Sequence, residues 1–380
     1  MSGSVVEADT PQQPTATQPV DHDDVQTIAQ TIRDLVSTEA QVIHPVAEGE
    51  DGTQAVNGDD FGIANYWDAS SMAPLNARSA AAIARLRAYK PPPAPLWDRL
   101  HLSRRAAVLL LLFADRRGDL RVVITMRAAS LRSFSGHAAL PGGKADTLEE
   151  TPFQIARREA WEEIGLPMDD AKLPSPFRIE HLCDLPMNLA RTELIVRPCV
   201  AFLHANEPPA PTGSPQTPST KTPTAEESMI PRLDAKEVAA VFSAPFQNFL
   251  KATDEELPAE VARRRPLPSG DWYEGNWLQF NGHPWRAHYF YVPVNDQRVM
   301  KPKRQLSAAE EEVVDELGEK ERYQVWGMTA RILVDAARIA YGQDPEFEYN
   351  SHYGDEGLIE EAESQGRLGP KKKTGEAPKV

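Results

Sequence analysis

The chain has 380 residues, 41 % apolar and 26 % charged, with a formal net charge of −15; that length fits two or three domains, or one domain carrying long insertions. It holds only two cysteines, Cys183 and Cys199, which excludes a disulfide-stapled fold and points to a reducing, intracellular compartment. No apolar run approaches the ~20 residues of a membrane span, and the start, MSGSVVEAD, lacks the basic and apolar stretches of a signal peptide.

Residues 1–60 contain twelve acids and the single base Arg33, a net −11, so the remainder is near neutral and the acidity belongs to a tail. Such a tail, poor in aromatics, reads as disordered, with room for a short helix over Val25–Leu35. Residues 74–90, PLNARSAAAIARLRAYK, read as a helix, and Pro91, Pro92, Pro93 and Pro95 end it in a stiff spacer. Ala106–Phe113 reads as a buried strand and Leu120–Arg127 as a second. Further strands are expected over Phe177–Asp184, Glu193–Leu203 and Glu237–Phe242. Residues 206–224, NEPPAPTGSPQTPSTKTPT, read as a disordered insertion. Asn281-Gly282 between Trp277–Phe280 and Trp285–Val294 is a hairpin signal. Residues 301–322 are charge-dense and expected as an exposed helix or loop. Tyr323–Tyr341 reads as an amphipathic helix with a stripe of Val325, Thr329, Ile332, Leu333, Ala336 and Ile339. From about Gln343 the chain reads as a polar tail. The expected organisation is a tail (1–60), a helix and spacer (61–97), one α+β domain (98–345, interrupted by 206–224) and a second tail (346–380).

The stretch richest in chemistry is PGGKADTLEETPFQIARREAWEEIGLP, residues 141–167. Thr151 is a good N-cap, Pro152 suits the first helical position, and Gln154 completes a capping box. Gly165 and Pro167 stop the helix, which therefore spans Pro152–Ile164. Phe153, Ala156, Ala160 and Ile164 fall on one face, for burial. Glu159, Glu162 and Glu163 stand at i, i+3 and i+4 on an adjoining flank, where they repel one another unless a cation sits among them. Hard divalent cations take such oxygen ligands. Upstream, Gly142 and Gly143 let the backbone approach the same cation or a phosphate.

This constellation resembles the signature of the Nudix hydrolases, G-x5-E-x7-R-E-U-x-E-E-x-G-U with U apolar. Arg158 to Leu166 match its second half at every position. In the first half Glu150 keeps the spacing to Arg158, and Gly143 is then one residue too far, as one extra loop residue would produce; Glu149 keeps the glycine spacing instead. Upstream, Val123-Ile124-Thr125-Met126-Arg127-Ala128, Arg132, Gly136 and Leu140-Pro141-Gly142-Gly143 resemble the signature of family members that cleave coenzyme A, with Ala128 and Leu140 in place of Ser and Phe. Asp184-Leu185-Pro186, Arg191-Thr192, Pro198, Val241–Pro245 and Trp326–Ala330 resemble fungal peroxisomal members of that branch.

The resemblance covers about residues 98–345. It implies a Nudix fold, a mixed β-sheet sandwiched between helices, and metal-dependent hydrolysis of the pyrophosphate of coenzyme A or its derivatives to 3′,5′-ADP and (acyl-)4′-phosphopantetheine. It implies Mg²⁺ or Mn²⁺ on Glu159, Glu162, Glu163 and the Gly142 carbonyl. It also implies catalytic roles for Glu159, Glu163, Arg158 and Glu150, and substrate contacts from Arg127, Arg132, Gly136 and Gly143. Asp184, Glu193, Glu226 and Glu227 are candidate general bases. Alternatives with the same metal site are a housecleaning hydrolase of oxidised dGTP and a non-catalytic Nudix binding module. The expected partner is a small nucleotide of coenzyme A type, with no nucleic acid and no membrane span, and the oligomeric state stays open. The likeness implies a peroxisomal address, although Pro378-Lys379-Val380 is not of the Ser-Lys-Leu type and cytoplasmic or mitochondrial placement stays open.

Overall fold

The computed structural model describes residues 75–127, 137–205, 225, 229–233, 235, 237–257, 259–264, 266–295, 297, 299–302, 306 and 308–370. The expected acidic tail with its Val25–Leu35 helix, the insertion 206–224, Ala128, Arg132, Gly136, Glu226, Glu227 and the last ten residues lie outside the described residues.

An eight-stranded mixed sheet forms the centre. Its strands are β1 (Arg105–Ala114), β2 (Leu120–Arg127), β3 (Ala138–Ala139), β4 (Gly142–Lys144), β5 (Phe177–Asp184), β6 (Asn188–Leu189), β7 (Ile195–Ala205) and β8 (Val238–Pro245). They run in the order β3-β2-β1-β7-β5, with β4 on β1, β6 on β7 and β8 on β2. Among the described residues, β1 and β7 are the one parallel pair, from Arg105↔Ile195 to Phe113↔Leu203. Continuous apolarity in β1 follows from its place: Leu110 and Leu112 pack into one core, and Ala107, Leu109, Leu111 and Phe113 into the other. A strand covered on both faces has no polar side to display.

One face is covered by helix α1 (Ala77–Ala88) and, after the short α2 (Pro95–Arg99), the other by α3 (Pro152–Ile164). Helix α3 begins and ends where the sequence predicts: Thr151 and Gln154 form the capping box, and Gly165 stops it at φ 69°. Leu96 and Trp97 of α2 are buried, so the proline-rich stretch expected as a spacer is anchored in the core by its first two apolar residues.

Beyond α4 (Ala259–Arg264), a second sheet contains β9 (Tyr273–Phe280), β10 (His283–Pro293) and β11 (Arg322–Trp326), in the order β11-β10-β9. Asn281 and Gly282 turn the β9–β10 hairpin at φ 51° and 84°, the positive values that a tight hairpin turn needs. Between β10 and β11 lies α5 (Ala308–Glu319), a mostly exposed helix, as expected of this charge-dense segment, that sends Val314 and Leu317 into the core.

The amphipathic helix expected from Tyr323 starts only at Gly327. Residues 322–326 pair with β10, with Tyr323 and Val325 buried, and helix α6 (Gly327–Tyr341) follows a turn at Gly327, φ 64°. A stripe containing Val325 at helical spacing also satisfies strand alternation, and the free edge of β10 decides between them.

The tail expected from residue 346 is a packed segment through Pro370, with α7 over Glu356–Ser364. Polar anchors hold it. Buried Asn350 accepts from the Arg286 amide (2.9 Å) and donates to the Arg286 carbonyl (3.2 Å). Asp355 accepts from the Leu189 amide (3.0 Å), and Glu356 from the Met187 amide (2.7 Å). Arg331 of α6 donates to the Gly354 carbonyl (2.6 Å), and Arg104 clamps the carbonyls of Arg367 and Gly369, each at 2.8 Å. Among the described residues, no helix is long and apolar enough to cross a membrane.

If this segment is structural, Asn350→Ala should lower stability by about 1–3 kcal/mol, since it strands two buried backbone groups of β10. Urea unfolding checks this; a shift below about 0.5 kcal/mol, the size usual for surface substitutions, would return residues 346–370 to the status of a tail.

Candidate active site

The site forms where α3 crosses β1 and β4. Strand β4 pairs with β1 through Ala106↔Lys144, Ala107↔Gly143 and Val108↔Gly142, and the Leu109 amide donates to the Pro141 carbonyl at 2.7 Å. A β-carbon on Gly142 would sit 2.4 Å from the Ala107 carbonyl oxygen, and one on Gly143 would sit 2.5 Å from the Glu159 carboxyl. No side chain fits at Gly142, whose backbone is held against β1, and at Gly143 the Glu159 carboxyl fills the space a β-carbon would need, so a larger residue there would have to displace it.

Arg158 organises the acids. Its Nε donates to Glu150 (2.8 Å), Nη1 to Glu159 (3.0 Å) and Glu162 (3.4 Å), and Nη2 to the Lys144 carbonyl (2.8 Å). Of the two neighbouring acids that the spacing allowed, Glu150 meets Arg158. Its second oxygen accepts from the amides of Asp146 (2.6 Å) and Thr147 (3.3 Å), which closes the turn before the helix, while Glu149 is exposed. Partial burial opposes the charge on Glu150, but Arg158 and these amides hold its pKa below the ordinary range.

The helix glutamates differ in surroundings. Glu163 is the most desolvated: burial pushes its pKa up to about 8, although the Gly142 amide donates to it at 3.2 Å. Burial also raises Glu159, against the pull of Arg158. Glu162 keeps a third of its side chain exposed and turns toward Arg158. Arg127, at the end of β2, lies close enough to favour the Glu163 anion. Arg127, Gly142, Gly143, Glu150, Arg158, Glu159, Glu162 and Glu163 are thus gathered here, whereas Arg132 and Gly136 lie outside the described residues.

The donor set is hard oxygen, crowded and short of positive charge, which fits a divalent cation of the magnesium class. Among the described residues the three helix glutamates do not themselves form a closed triple of ligand atoms within 4.8 Å; His181, Asp184 and Cys199 do. Magnesium commonly takes one or two carboxylates and completes its shell from water and substrate phosphate, so an open arrangement of this kind suits it.

Two candidate bases are engaged elsewhere. Asp184 faces His181 (3.0 Å) and Arg197 (3.5 Å), and Glu193 faces Arg104 (3.0 Å) and Arg367 (3.7 Å). An acid not singled out in the sequence, Glu237, meets the end of α3: its amide donates to the Glu163 carbonyl at 3.4 Å, and its charge adds to those raising Glu163. The pairing of Val238 with Arg127 across β8 and β2 brings it there, and no local pattern announces such a long-range neighbour.

Against known proteins, the NUDIX domain model matches residues 103–216. Peroxisomal coenzyme A diphosphatase 1 of Saccharomyces cerevisiae is 35% identical over 254 residues, 63% of this chain and 70% of that protein. The chain belongs to the Nudix hydrolase family. Nudix hydrolase 15, mitochondrial, of Arabidopsis thaliana is 31% identical over 64% of this chain and 61% of its own length, so less than two thirds of that relative is spanned. Peroxisomal coenzyme A diphosphatase NUDT7 of Mus musculus is 31% identical over 28% of this chain and 42% of its own length. As a Nudix hydrolase, the protein is an enzyme acting on phosphorus-containing anhydrides, and the mixed sheet between helices is its Nudix fold.

The raised pKa of Glu163 has a stability signature in the chelated enzyme. An unfolded glutamate ionises near its ordinary value of ~4.3, whereas folded Glu163 holds its proton to about 8. Between those values the folded state binds more protons than the unfolded state, so stability falls as pH rises and levels off above about 8. In EDTA the melting temperature should decline from pH 5 to pH 8, and Glu163→Gln, which keeps an acceptor for the Gly142 amide, should flatten that decline. Parallel curves for the two proteins would refute the assignment.

Proposed function

We propose that this Nudix enzyme hydrolyses the pyrophosphate bond of coenzyme A or its acyl derivatives, using Mg²⁺ or Mn²⁺, to give 3′,5′-ADP and (acyl-)4′-phosphopantetheine. The observation that carries the reading is the convergence of Glu159 and Glu163 on the backbone of Gly142 and Gly143, with Arg158 tying the acids together. The substrate class rests on the upstream arrangement of Arg127, Arg132 and Gly136 and on the names of the yeast and mouse relatives. The same relatives support a peroxisomal location, which a fluorescently tagged chain would test.

In this reading Glu159, Glu162, Glu163 and the Gly142 carbonyl would hold the cation, whose chemistry would be to screen the pyrophosphate charge and activate water for attack. The chain does the positioning. Arg158 prevents Glu159 and Glu162 from swinging to solvent, and Glu150 fixes Arg158 from the other side. Arg127 offers a planar cation for bidentate contact with phosphate. Glu237, at the C-terminal end of α3, supplies a further carboxylate able to take the proton of the attacking water.

Purified enzyme with Mg²⁺ or Mn²⁺ should cleave coenzyme A and acyl-CoA in preference to ADP-ribose, NADH and oxidised dGTP. A preference for oxidised dGTP would overturn the substrate assignment. Glu159→Gln, Glu162→Gln and Glu163→Gln should each lower turnover on the order of 10²–10³-fold, the usual size for losing a charge-stabilising group, with unfolding curves still cooperative. Near wild-type rates in any two of them would remove the metal assignment. Arg132→Ala should depress coenzyme A cleavage more than hydrolysis of a simple dinucleotide; equal loss on both would make Arg132 a general phosphate contact.

A further inference from the structure

Strands β5 and β7 pair so that Asp184 lies opposite Cys199, and directly opposed residues project from the same face. The register shifts between His181 and Cys183. Such a bulge re-aims a side chain, and here it places His181 beside Asp184, with Nε2 3.0 Å from Oδ1. One ligand atom from each of His181, Asp184 and Cys199 lies within 4.8 Å of the other two. The cluster sits at the opposite end of α3 from the glutamates: the Phe153 ring, in the first turn, stacks on His181 at 4.1 Å and 10°. Glu163 is ten residues further along that helix, about 15 Å at 1.5 Å per residue.

We propose that His181, Asp184 and Cys199 form a second metal site, for a transition metal of the zinc class, separate from the Nudix carboxylates. Imidazole nitrogen, carboxylate oxygen and thiolate sulfur together are the donors such a metal prefers, whereas magnesium takes oxygen. The surroundings act as an outer shell that orients ligands. Arg197 Nε lies 3.5 Å from Asp184 Oδ2 and leaves Oδ1 directed at His181. Phe153 holds the plane of the imidazole, and Cys199 is fully buried with Sγ 3.9 Å from the Arg197 carbonyl. Asp184 also lines a cavity of about 420 Å³ walled by Pro95, Trp97 and Pro152. Metal at the three-ligand site ties the β5–β7 pair to the first turn of the catalytic helix through Phe153.

The test uses the full chain, stripped of metal, dialysed with excess Mg²⁺ and then loaded with Zn²⁺ or Co²⁺. Elemental analysis should find zinc retained at this site, and the cobalt protein should show thiolate-to-cobalt charge-transfer absorption. Cys199→Ser should abolish that band, and His181→Asn should weaken cobalt binding roughly tenfold or more, the size seen even for outer-shell changes. Glu163→Gln should leave the band intact. Because Cys199 is buried, the more exposed His181 carries the test should the serine variant fail to fold. A folded wild-type protein without the charge-transfer band, or binding unchanged by His181→Asn, would overturn the proposal.

Discussion

The absence of a side chain at Gly142 sets the geometry of this enzyme. A β-carbon there would sit 2.4 Å from the Ala107 carbonyl oxygen and 2.6 Å from the Val108 α-carbon, so β4 can lie against β1, beside helix α3, only because that atom is missing. Everything chemical follows from the approach. Glu163 reaches the Gly142 amide, Arg158 reaches the Lys144 carbonyl, and Glu150 closes the intervening turn. The close approach also desolvates the carboxylates, and desolvation is what raises Glu159 and Glu163. A site that destabilises its own anions in this way is the physical basis for the cation proposed there.

The enzyme handles charge differently at its two ends. At the catalytic end one arginine serves Glu150, Glu159 and Glu162, and the cluster stays short of positive charge. In the C-terminal segment the signs are balanced. Arg331, Arg338, Asp335 and Asp355 are all buried and face one another across α6 and the stretch before α7. Gly354 meets both signs, its carbonyl taking a hydrogen from Arg331 and its amide giving one to Asp335 at 3.1 Å. Removing one partner of such a network strands another buried charge, so the segment is held by mutual dependence of polar groups, with only a few apolar residues such as Ile359 and Ala362 packed beneath it.

Where sequence reading diverged from the structure, the cause was the same each time: a partner remote in sequence decided the outcome. Residues 346–370 look like a tail because their anchors are Asn350, Asp355 and Glu356, polar residues whose value depends on Arg286, Leu189 and Met187. Tyr323–Trp326 became a strand because β10 offered an unpaired edge. Glu237 entered the site through the β2–β8 pairing. His181 and Cys199, eighteen residues apart, are joined only by the register of β5 on β7 and its bulge.

Local chemistry was decisive for the rest. The capping box of Thr151 and Gln154, the αL stop at Gly165 and the paired positive φ of Asn281-Gly282 are short-range effects, and each is fully written in neighbouring residues. The i, i+3, i+4 placement of Glu159, Glu162 and Glu163 is likewise a property of one helix. The sequence by itself therefore determined the helix Pro152–Ile164, its acids and the glycine loop, and the family resemblance those residues carry implied the mixed sheet between helices. The tertiary structure alone chose Glu150 over Glu149, exposed the separate environments of the three helix glutamates and recruited the C-terminal segment to the body. Those outcomes depend on burial and on contacts between distant strands, and neither quantity is a property of any local stretch of chain.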